Sequence, residues 1–173
     1  MGASSHGMGV VMGKAERILV LGLGNEVLTD DAIGPKLVRW LEEQCPDQRV
    51  DYEVAATGGL NILEMAEGYQ RALFVDAIKT KGGVPGDVYW LTDESFDNAL
   101  HLTSVHDISF LQAFELGRAL NLEVPTEVKV VAVEIVEDLV FSNEFSPPVA
   151  ARWDEIKETV TNWYRDFLAE EGQ

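Results

Sequence analysis

Three residues of this chain, Asp31, Asp76 and His106, lie where segments of regular pattern give way to loops. They supply two carboxylates and one imidazole. Three protein ligands with a vacant position mark a catalytic metal site rather than a closed structural one. The mixed oxygen and nitrogen donors suit a borderline first-row ion such as nickel or zinc. Ligation needs ionised carboxylates and a neutral imidazole, so metal engagement is expected to weaken in acid. No G-x-S-x-G string offers serine-hydrolase chemistry instead, and the single cysteine, Cys45, falls at the end of a helical pattern. A lone cysteine also excludes an internal disulfide or a cysteine-rich metal site.

Each residue has an ordinary reading beside the chemical one. Asp30 and Asp31 stand just before a helical pattern, where one aspartate usually serves as cap. Two are more than capping needs, so one caps and the other is left to face a cleft. Asp76 follows Ala72, Leu73, Phe74 and Val75, all expected to be buried. An acid there is desolvated unless backbone donors or a cation compensate it, and loop bracing is its bland alternative. His6 lies in a floppy lead-in and His101 follows a polar stretch, so only His106 sits at a helix start near the expected cleft. Gly22 and Gly24 open like a dinucleotide fingerprint, but Val27 stands in the third glycine's place and Thr29-Asp30-Asp31 delays the helix. Both glycines therefore read as permitting a tight turn.

The elements that position these residues alternate. Arg17 to Leu23 is a continuous apolar run, as in a central parallel strand. Ile33, Leu37, Trp40 and Leu41 recur at helical spacing until Pro46 stops them. Val50 to Val54 is a second strand, and Thr57-Gly58-Gly59 turns into a short helix. Arg71 to Asp76 is a third strand, ending at its carboxylate. The loop from Ile78 to Gly86 leaves no room for a crossover helix, so the strand Asp87 to Leu91 is expected to run antiparallel at a sheet edge. A helix begins at Ile108, Glu127 to Ile135 is a fifth strand, and Pro147 to Ala169 is one long terminal helix capped by Ser146. Glu134 and Glu137 read as solvated acids, with lining the cleft as the alternative. The fold class is α/β: a three-layer α/β/α sandwich around a mostly parallel five-stranded sheet. Ligands in such sheets bind beyond the carboxyl ends of the strands. One domain is expected over residues 15–170, after a lead-in of residues 1–14.

Composition narrows the function. The 173 residues are 46% hydrophobic and 25% charged, with a formal net charge of −17. That acidity argues against nucleic acid or an anionic membrane as partner. No apolar run is long enough for a transmembrane helix.

Ile18 to Gly34 (ILVLGLGNEVLTDDAIG) resembles the opening of the hydrogenase maturation proteases. Leu73 to Ile78 (LFVDAI) is similar to that family's second signature and Ser104-Val105-His106 to its third. Thr57-Gly58-Gly59 resembles a fourth, glycine-containing turn. The resemblance implies a twisted five-stranded sheet between helices. It also implies an endopeptidase that removes the C-terminal extension of a nickel-iron hydrogenase large-subunit precursor once nickel is inserted. The family's metal-binding and catalytic trio maps onto Asp31, Asp76 and His106. Gly22, Gly24, Asn25 and Gly34 map onto its loop-shaping positions, as do Thr57, Gly58 and Gly59. Nickel is then carried by the substrate, with zinc or cadmium able to substitute, and the nickel-loaded precursor is the partner. A cytoplasmic monomer is expected. Where many members carry Gly-x-x-Pro after the last strand, this chain reads AVEIVED from Ala132 to Asp138. A non-catalytic nickel-binding chaperone is the alternative, and a nucleotide-binding module ranks last.

Overall fold

β1 (Ile18–Leu23) is buried at every position, which is why its sequence shows no alternation. The computed structural model describes residues 13–56, 60–92, 103–104 and 109–170. After β1 come α1 (Ile33–Gln44), β2 (Val50–Ala55), α2 (Leu60–Ala66), β3 (Arg71–Lys79), β4 (Val88–Leu91) and the two-residue β5 (Thr103–Ser104). α3 (Ser109–Ala119), β6 (Glu127–Glu134), α4 (Pro147–Ala151) and α5 (Trp153–Ala169) complete the chain. Most of the expected lead-in lies outside the described residues, but Lys14 already belongs to the fold, its Nζ donating to the Glu67 carbonyl at 3.3 Å.

The sheet order is β2-β1-β3-β6-β4, with β5 on the free edge of β3. β2, β1, β3 and β6 are parallel. β4 runs antiparallel to β6 at the edge, as the short connection requires. Ile18, Val20, Leu73, Val75, Val131 and Val133 pack against α1, α4 and α5 on one face. Leu19, Leu21, Phe74, Ile78 and Val130 pack on the other against Ile62 of α2 and Phe114 of α3. The alternation along each strand thus divides the core into the two outer interfaces of an α/β/α sandwich.

Three elements depart from the sequence reading. β3 runs on past Asp76 to Lys79, because β6 and β5 give its last residues hydrogen-bonded neighbours. The terminal helix is broken at Arg152, whose backbone leaves helical geometry. The Arg152 guanidinium reaches across the break to Asp87 at 2.6 Å and to the Pro85 carbonyl at 3.3 Å, pinning the loop before β4. Ser146 precedes α4 without making a side-chain cap, because its hydroxyl is used elsewhere.

At the amino end of the sheet, Arg17 joins β1 to β2. Its Nε donates to Asp51 at 2.7 Å, and the Tyr69 hydroxyl donates to the same carboxylate oxygen at 2.8 Å. The Arg17 bond, with help from Tyr69, holds the Asp51 carboxyl below the usual carboxylate range. Burial, reinforced by Asp51, pushes the Tyr69 phenol up to about 12. A depressed folded-state pKa stabilises above the unfolded carboxylate value and is lost as pH falls through the folded one. Asp51→Asn is therefore expected to cost about 1 kcal/mol at neutral pH. The difference from wild type should vanish in urea titrations well below pH 4, and a difference that persists there would assign the effect to packing.

Candidate active site at the carboxyl ends of β1 and β3

The order β2-β1-β3 places a topological switch point between β1 and β3, where open α/β sheets bind ligands. β1 accompanies β3 as far as Gly22 opposite Val75, and β5 takes over that edge only at Ile78 opposite Ser104. Asp76 falls in the interval. On its other side it is in register with Ala132 of β6. Strand alternation turns Asp76 to the face that carries Phe74 and Ile78, the face covered by α2 and α3. The carboxylate is buried, and its Oδ1 accepts a hydrogen bond from the Ala77 amide at 2.8 Å.

Glycines bring the second acid to this strand end. A Cβ on Gly34 would lie 2.3 Å from the Leu23 carbonyl oxygen and 2.4 Å from that of Val75. Only a residue without a side chain lets the first turn of α1 press onto the ends of both strands. Gly24 has φ +141, and a Cβ there would lie 1.9 Å from the carbonyl oxygen of Asp31. A Cβ on Gly22 would meet the Gly34 carbonyl oxygen at 2.6 Å. Asp31, three residues before Gly34, sits buried in a 3-10 turn, Thr29–Ala32. Its Oδ2 accepts from the Asn25 amide at 2.7 Å, which closes the loop on itself.

Neither aspartate caps α1. The residue before the helix is Ala32, with no side-chain cap bond, because the 3-10 turn runs directly into it. Asp30 is fully buried and points away from Asp31's bonds into a strap formed by residues 136–146. Its Oδ2 accepts from the amides of Val136 at 3.2 Å and Glu137 at 3.0 Å, and from the Ser146 hydroxyl at 2.7 Å. Its Oδ1 accepts from the Ser146 amide at 2.7 Å. The Asp30 amide returns a bond to the Glu137 carbonyl at 3.0 Å. A buried carboxylate with this many donors is a structural tie. Its partners are 106 to 116 residues distant in sequence, so no local pattern announced the role.

Glu134 is not a solvated acid. It is 2% exposed, and its carboxylate accepts from the Thr80 amide at 2.6 Å and the Thr80 hydroxyl at 2.8 Å. Gly83 lies so close that a Cβ would come within 2.2 Å of that carboxylate, so the loop after β3 is folded onto it. Glu137 is half-buried, and its Oε1 accepts from the amides of Leu139 at 2.8 Å and Val140 at 3.2 Å. Lys79 at the end of β3 is ion-paired with Asp138 of the strap.

Asp31 and Asp76 are thus carried by elements packed on one another. His106 lies outside the described residues, as do His101 and the Thr57-Gly58-Gly59 turn. Among the described residues no group of three or more His, Cys, Asp or Glu side chains is placed to hold a metal ion. No helix among them is long and apolar enough to cross a membrane.

Comparison with known proteins adds a family. Residues 35–163 match the sequence model of the hydrogenase maturation proteases. The hydrogenase 2 maturation protease of Escherichia coli K12 is 40% identical over 80 residues, which make up 45% of this chain. That match spans 48% of the relative's length, about half. The solved hydrogenase maturating endopeptidase HybD from Escherichia coli superposes with a TM-score of 0.68 at 30% identity, covering 87% of this chain and 93% of that one. The nickel-iron hydrogenase maturation protease HybD from Thermococcus kodakarensis gives a TM-score of 0.63 at 25% identity, covering 85% and 98%.

Proposed function

Since the chain belongs to the hydrogenase maturation protease family, we propose that it is an endopeptidase that removes the C-terminal extension of a nickel-iron hydrogenase large-subunit precursor after nickel insertion. It acts in the cytoplasm as a monomer, and the nickel arrives with the substrate. Asp31, Asp76 and His106 engage that ion, with zinc or cadmium able to stand in for it. Engagement places the scissile carbonyl beside the ion, which polarises it. Water adds to the carbonyl carbon and the C–N bond breaks. One aspartate takes the proton from the attacking water, and a proton is returned to the departing amine.

The reading is supported above all by the register of β5. Ile78 faces Ser104 and Lys79 faces Thr103. In an antiparallel pair, a step back along one strand matches a step forward along the other. β5 therefore runs along the edge of β3 toward Asp76, which lies two residues before Ile78.

Mass spectrometry of nickel-loaded and nickel-free precursor, before and after incubation with this protein, tests the reading. Loss of a C-terminal peptide from the loaded form alone is expected. An unchanged mass with a stable complex would replace the protease by a nickel-binding chaperone. Cleavage of both forms would remove nickel from recognition.

A further inference from the structure

Among the described residues nine large apolar side chains are exposed, and five of them, Val27, Val136, Leu139, Val140 and Phe141, lie on the strap and on the loop it crosses. Leu139 is 80% exposed and Phe141 78%. Isolated exposed apolar residues need no explanation, whereas a cluster next to a reactive site does. The backbone that carries this cluster is tied down. Phe141 forms a β-bridge with Leu28, and the Ser142 amide donates to the Val27 carbonyl at 3.1 Å. The Thr29 hydroxyl donates to the Val140 carbonyl at 2.6 Å, and Asp30 holds both ends of the strap. The same 3-10 turn, Thr29–Ala32, carries Asp31, so the cluster has a fixed position relative to that acid.

Charge says what kind of partner fits. The strap, residues 136–146, reads VEDLVFSNEFS, with three acids and no lysine or arginine; Lys79 pairs Asp138, which leaves Glu137 and Glu144 to carry its negative charge. An apolar ledge edged by carboxylates suits a segment that carries both apolar and basic side chains. We propose that Leu139, Val140 and Phe141, with Val27, form the docking ledge for the precursor polypeptide beside its cleavage point, through a segment of that mixed character. The assignment rests on the protease reading above.

The test is the double variant Leu139→Ala/Phe141→Ala, whose two side chains project into solvent and carry none of the strap's hydrogen bonds. The steady-state cleavage of nickel-loaded precursor and its equilibrium binding are measured separately, alongside the melting temperature. KM and Kd are expected to rise about tenfold or more, with kcat within about twofold of wild type and an unchanged melting temperature. Leu120→Ala/Leu122→Ala, which removes exposed apolar side chains just beyond α3, is expected to behave as wild type. Unchanged KM and Kd in the strap variant would overturn the proposal. So would concentration-dependent dimerisation of the wild type that the strap variant abolishes without changing KM, since that assigns the ledge to a second copy. If wild type leaves the precursor intact yet binds it in a strap-dependent manner, the protease reading fails and the ledge stands.

Discussion

Asp76→Asn is expected to lower precursor cleavage by roughly 10²–10⁴-fold while the protein stays folded. The substitution preserves shape and keeps an oxygen for the Ala77 amide, which donates to Asp76 Oδ1 at 2.8 Å. What it removes is the negative charge that the proposed nickel ligation and the proposed proton acceptance both require. His106→Ala is expected to fall as far, because it deletes the one nitrogen donor of the proposed trio. Asp31→Asn follows the same logic, since an amide oxygen can still accept from the Asn25 amide that now bonds Asp31 Oδ2. Each variant is assayed by single-turnover cleavage, with circular dichroism and thermal melting as the check on fold. Cleavage at the wild-type rate by Asp76→Asn or His106→Ala would take that residue out of the reaction.

The second large effect is on stability. Asp30→Ala strips the acceptor from four donors at once: the amides of Val136, Glu137 and Ser146, and the Ser146 hydroxyl. Leaving a buried donor without a partner costs about 1–3 kcal/mol. Partial relaxation of the strap into water recovers some of this, so a net loss of about 3 kcal/mol is expected in urea titrations. That is a large fraction of the stability of an ordinary domain, about 5–15 kcal/mol. Asp30→Asn should lose less, because one oxygen remains and only the NH2 faces a donor. Amide exchange at Val136, Glu137 and Ser146 is expected to accelerate in Asp30→Ala well beyond what global destabilisation accounts for. A loss below about 1 kcal/mol with unaltered exchange at those amides would show that the strap holds without the carboxylate.

Much of this molecule can be read from local pattern. The unbroken apolar runs of β1 and β3 already declare strands covered on both faces, and the short link before β4 already declares its antiparallel edge position. Where local pattern was silent, the structure added something. β5 is two residues long, too short to show a period. The continuation of β3 beyond Asp76 depends on neighbours supplied by β6 and β5, and Arg152, where the terminal helix breaks, bonds Asp87, 65 residues away.

The same division runs through the site. Sequence by itself determined the residue types, the order of elements and the crowding of acids at the carboxyl ends of the strands. These follow from periodicity and from the chemistry of single side chains, which a linear pattern carries. Tertiary structure alone decided the division of labour between adjacent aspartates, Asp30 turned into the strap and Asp31 bonded within its own loop. It also decided that Glu134 is buried against Thr80. A carboxylate's role is set by the donors that surround it, and for Asp30 those donors come from residues more than a hundred positions downstream.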